Sequence, residues 1–75
     1  LARASVLSAI KKEAAEKEDD PATRRGRATV LLDELECAVR STRRDADLVY
    51  GAKEMLFKAN MPTKFILDYV ATVVR

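Results

Sequence analysis

An all-α fold, a small antiparallel bundle of about four helices, is predicted for this 75-residue chain by three observations. Apolar residues recur at spacings of three and four along most of the sequence, period-two alternation is absent, and the periodic stretches are separated by short breaks rich in helix-start and helix-stop residues. Short connections set successive helices antiparallel. Residues 1–75 are expected to form one domain with a single modest core. Leu at position 1 and Arg75 in mid-pattern predict a piece of a longer chain.

The first helix is predicted over Ala2 to Glu18, where Val6, Leu7, Ile10 and Ala14 line one narrow face among helix-favouring Ala, Lys and Glu. Asp20-Pro21 ends that segment and starts the next. Proline keeps the preceding residue out of the helical region, then fits the first position of a new helix behind an aspartate cap. A boundary at 19 to 21 follows.

The second helix runs from Pro21, its early turns diluted by Gly26, and ends near Arg40 to Arg44, where cations suit the negative end of the helix dipole. Ala28, Leu31, Leu32, Leu35, Ala38 and Val39 fall within an arc of about 120° and form its core stripe. Thr42 followed by Asp45 reads as a short-armed capping box for a third helix, which carries Leu48, Val49, Ala52, Met55, Leu56 and Ala59 on its main face. Asn60-Met61-Pro62 closes it, with Asn60 suited to left-handed geometry, and a fourth helix runs from about Thr63 past Val74.

More apolar surface is present than one stripe per helix requires. In the fourth helix, eight of the eleven residues from Phe65 to Arg75 are apolar. Together they sweep about 240° of the helical wheel. Tyr50 and Phe57 lie seven apart on the third helix, on the flank opposite Leu48 and Met55, and Val30 and Cys37 repeat that spacing on the second. One arrangement places the last helix centrally with the others wrapped round it. The other places part of the surplus against a second protein chain, a copy of itself or a partner helix, with Tyr50, Phe57, Phe65, Tyr69 and Val73 as anchors.

Composition narrows the function further. The sequence has no His, which excludes imidazole bases, Ser-His and Cys-His nucleophile pairs and His-containing zinc sites. The expectation is a non-enzymatic module with no cofactor and no metal. Cys37 is the only cysteine, so the domain holds no internal disulfide, which suits a reducing intracellular compartment, cytoplasmic or nuclear. No apolar run approaches the length of a membrane span, and no membrane association is expected.

Net charge is only +2, and the cationic excess sits in residues 21–44. Arg24, Arg25 and Arg27 are the candidate phosphate contacts if the chain binds nucleic acid; otherwise they form a solvated helix start and a charged rim beside a protein interface. Asp33, Glu34 and Glu36 interrupt the track between this trio and Arg40, Arg43 and Arg44. The fourth helix offers base edges little beyond Lys64, which disfavours a helix-turn-helix reader. Leu32-Asp33-Glu34-Leu35, after an amphipathic helix and before two more, resembles the helical interaction domains near the N-termini of transcription elongation factors. That likeness spans four residues and transfers no site residue.

Overall fold

The computed structural model describes residues 2–17 and 20–74 and contains four helices: α1 (Arg3–Ala15), α2 (Pro21–Val39), α3 (Arg43–Lys58) and α4 (Thr63–Val73). The periodic segments predicted from sequence are these helices. Their ends differ by one to five residues, the largest difference at the end of α2, and Glu18, Asp19 and Arg75 lie outside the described residues.

Side-chain contacts fix the topology. Glu13 meets Arg27 between α1 and α2, and Arg3 near the start of α1 reaches Thr42 and Asp45 at the start of α3. At the other end, Glu16, Pro21, Arg24, Pro62 and Thr63 border one hollow, gathering the end of α1 with the starts of α2 and α4. The helices therefore run up, down, up and down. Each packs on its sequence neighbours, α1 closes the ring on α4, and α2 also touches α4 across the middle. The radius of gyration of 11.2 Å matches the roughly 11 Å expected for a compact chain of this length.

The core consists of aliphatic side chains and alanines only. Val6, Ile10 and Ala14 from α1 meet Ala28, Leu32, Leu35 and Val39 from α2, Val49, Ala52 and Leu56 from α3, and Ile66, Leu67, Val70 and Val74 from α4 and its cap. Leu7, Leu31, Leu48, Met55 and Ala71 pack half-buried against them. Ala59, expected on the core face of the third helix, is exposed instead, because α3 stops at Lys58 and the chain turns extended.

Asp20 caps α2 as the sequence predicts: its Oδ1 accepts from the Ala22 backbone N–H at 3.2 Å, and the Thr23 hydroxyl donates to its Oδ2. Thr42 behaves differently. It is the N-cap of α3 but its side chain makes no capping bond; its hydroxyl accepts from Arg3 Nη2 at 3.1 Å. Asp45, only 2% exposed, is likewise taken by Arg3 at 3.2 Å and by Arg44 at 3.0 Å. A long-range arginine has replaced the local box. Nor does Asn60 close α3 in left-handed geometry, since no described residue has positive φ. Ala59 is already extended, and Pro62 holds Met61 away from the helical region, so an extended link joins α3 to α4.

The C-terminal carbonyls of α1 are satisfied from α2. Arg24 donates from Nη2 to the carbonyls of Glu13 (2.6 Å) and Ala14 (3.1 Å) and from Nη1 to that of Glu16 (2.8 Å). A cation at the negative end of a helix dipole gains from the dipole as well as from the bonds. Arg24→Met keeps the bulk and removes the donors, and is expected to cost about 2–3 kcal/mol in urea unfolding, the scale for charged hydrogen bonds left unmade. Arg24→Lys restores only part of it, because one ammonium cannot reach three carbonyls in a planar fork.

The Asp20 carboxyl is held below its ordinary value of 3.8, first by the Thr23 hydroxyl and further by the backbone N–H groups of Ala22 and Thr23. A depressed folded value means that the cap stabilises above 3.8 and is lost as pH falls through the folded value. Acid titration of the unfolding midpoint is expected to show this loss below about pH 4, and Asp20→Asn to flatten it.

Candidate interaction site

All four aromatic residues lie outside the core. Tyr50 is 59% exposed, Phe57 63%, Phe65 57% and Tyr69 44%. Val73 is half-buried at the end of α4. α4 touches all three other helices, as a centrally placed helix should, yet its Phe65 and Tyr69 remain in solvent.

The geometry of α3 explains its two rings. Asp45, Val49, Ala52 and Leu56 point inward, which turns Tyr50 and Phe57 about 110–130° away from the core direction at 100° per residue. Both border one shallow hollow with Lys53 and Glu54. Lys53 reaches across to α2, where it contacts Asp33 at 2.7 Å and Glu36 at 3.0 Å. Those contacts, Asp33 first, hold its ammonium above the ordinary value of 10.5. The charged residues of the hollow, Lys53 and Glu54, are of opposite sign, and Glu54 in turn pairs with Lys58 at 3.2 Å.

On α4, burial of Ile66, Leu67, Val70 and Val74 turns Phe65 and Tyr69 outward, one turn apart. Met61, in the extended link before α4, is also 47% exposed. Lys64 and Asp68 lie elsewhere on the helix and pair with each other at 2.9 Å. Phe65, Tyr69 and Val73 thus follow one another at a spacing of four on α4, without a charged member.

The arginine trio does not form one exposed cluster. Arg24, expected at a solvated rim, is 8% exposed and committed to the carbonyls of α1. Arg27 holds buried Glu13 through both carboxylate oxygens at 3.0–3.1 Å. Arg25 stays exposed. Of the second trio, Arg43 lies 3.9 Å from Asp47 and Arg44 pairs with Asp45. Among the described residues of this stretch, Arg24, Arg25 and Arg40 have no ion pair; Arg24 is taken by carbonyls, and Arg25 and Arg40 lie fifteen residues apart, about 22 Å along the helix. Sequence alone gave no sign of the long-range partners that use up this charge.

Cys37 is exposed on α2, and no described group of three acidic, cysteine or histidine side chains is placed to hold a metal ion. No helix among the described residues is long and apolar enough to cross a membrane. Comparison with known proteins finds no matching family model, curated protein or solved structure.

Because the rings contribute so little to the core, Tyr50→Ser with Phe57→Ser is expected to leave helicity intact and to change stability by no more than about 0.5 kcal/mol per site. Leu35→Ala, at a fully buried position, is expected to cost about 2–5 kcal/mol. Paired circular-dichroism melts check both.

Proposed function

We propose that this chain is a non-enzymatic helical interaction module that binds protein through the aromatic side chains on α3 and α4. The observation that carries the reading is that every aromatic ring of the chain stands at least 44% in solvent while the core is complete without them. Exposed rings cost solubility, and rings are the side chains that give the largest contact area for the least conformational entropy. Tyr50, Phe57, Phe65 and Tyr69 are the proposed anchors, with half-buried Val73 extending the α4 surface. Exposed Arg25 is left as a rim charge that steers association.

The absence of histidine from the sequence, and of a metal-holding group of acidic or cysteine side chains among the described residues, favour binding over catalysis. A small core held without disulfides suits a reducing compartment, the cytoplasm or nucleus. Nucleic-acid binding through α2 is the weaker alternative, because Arg24 and Arg27 are engaged within the fold.

The test replaces Tyr50 or Tyr69 by a benzophenone amino acid, with Ser8 on the exposed side of α1 as control, and irradiates the chain in extract of its source cells. Protein adducts, with itself or another chain, are expected at 50 and 69 but not at 8, and should persist as salt rises toward about 1 M because the contact is apolar. Absence of protein adducts at both ring positions, or nucleic-acid adducts that vanish with salt, would overturn the reading.

A further inference from the structure

We infer that α3 is a hinged lid: it opens away from α1, α2 and α4 as a unit, before the rest of the bundle unfolds. The inference stands independently of the interaction reading.

Topology permits such an opening. α1, α2 and α4 pack on one another in all three pairings, so they stay a closed packet when α3 leaves, and α3 packs on α2 and α4 but not on α1. The same pattern would let α1 leave instead, since α2, α3 and α4 also pack pairwise. Apolar burial does not decide between them. Each buries three aliphatic side chains and one acid: Val6, Ile10, Ala14 and Glu13 on α1, Val49, Ala52, Leu56 and Asp45 on α3.

The polar ties hold α1 more firmly. Its last turn is bonded to α2 by Arg24, which is 8% exposed and donates to three carbonyls, and by Arg27, which holds both carboxylate oxygens of buried Glu13. α3 is joined to α2 through Lys53, whose partners Asp33 and Glu36 have side chains 55% and 39% exposed. Ion pairs standing in water contribute little. The Arg3–Asp45 pair links α1 to α3 and favours neither.

Helix preference points the same way. Gly51 stands at the centre of α3 without positive φ, and a methyl group there would meet nothing within 4 Å. Neither backbone nor packing asks for glycine at this position, and its freedom in the open chain weakens the helix around it. α1 contains no glycine and is rich in alanine. Gly26 in α2 is equally unconstrained, but α2 is packed on by all three other helices. The extended link from Ala59 to Pro62 supplies the hinge at the far end of α3. Segments with weak helix preference and solvent-exposed ties are the first to open in a folded protein. When α3 opens, the aliphatic faces of α2 and α4 beneath it are uncovered.

Native-state hydrogen exchange of the whole chain, read amide by amide by NMR across sub-denaturing urea, tests this. The interior amides of α3, from Tyr50 to Leu56, are expected to share one opening, with protection about tenfold or more below the interior amides of α1, α2 and α4. Gly51→Ala is expected to raise α3 protection about fivefold, the factor for glycine against alanine inside a helix. Ala9→Gly, on the exposed side of α1, is expected to lower protection in α1, α2 and α4 by about the same factor. It should leave α3 unchanged, because α1 stays helical while α3 opens. One protection level shared by all four helices overturns the inference. So does α1 opening more readily than α3, or a loss of α3 protection in Ala9→Gly equal to that of the other helices.

Discussion

A small aliphatic core with alanine at three of its buried positions is the constraint on which this bundle depends. Ala14, Ala28 and Ala52 are buried to within 1%, and their small side chains let neighbouring backbones approach where leucine or phenylalanine would hold them apart. Around them the interior is filled by branched aliphatic side chains from one stripe of each helix. A ring inserted at this spacing would overpack the core and force side chains off their rotamers, at about 1–3 kcal/mol each. The wheel positions that bury the aliphatic stripes of α3 and α4 turn all four rings outward, so none enters that core.

A second consequence of small size is that the ends of the helices lie near the core, so their orphan carbonyls and the charges close to them must find partners inside the chain. Arg24 serves the last turn of α1, Arg27 holds Glu13, and Arg3 ties the start of α1 to Asp45 and Thr42 at the start of α3. One of these arginines fastens the beginning of α1 and the other two its last turn. A buried charge of this kind destabilises strongly when its partner is removed, although the intact pair adds little beyond an apolar replacement. Cations that the sequence offers to a ligand are thus engaged inside the fold.

That division explains what was legible beforehand. The four helices were readable because each has a periodic stripe, and the junction at Asp20-Pro21 because an aspartate cap and a first-turn proline are local signals. The outward direction of Tyr50 and Phe57 was also readable, since a wheel position depends only on residues nearby in sequence. The roles of Arg24, Arg27 and Asp45 were not. Arg24 and the carbonyl of Glu13 are eleven residues apart, and Arg3 and Asp45 meet only after α1 and α3 have both been placed. Their pairing depends on tertiary register, which a single sequence does not encode in any short pattern. Thr42 shows the same limit from the other side: a plausible local cap gave way to a distant arginine.

Folding and the proposed binding draw on separate side chains. The buried set comprises aliphatic residues, alanines and a few bonded charges, while the exposed set carries all the rings. Because the two sets do not overlap, sequence change at the rings leaves the core in place. Beside Tyr50 and Phe57, Lys53 is tied to Asp33 and Glu36 and Lys58 to Glu54, and on α4 Lys64 is tied to Asp68. Charge is therefore engaged within the fold near both pairs of rings, and apolar surface is what each pair leaves to solvent.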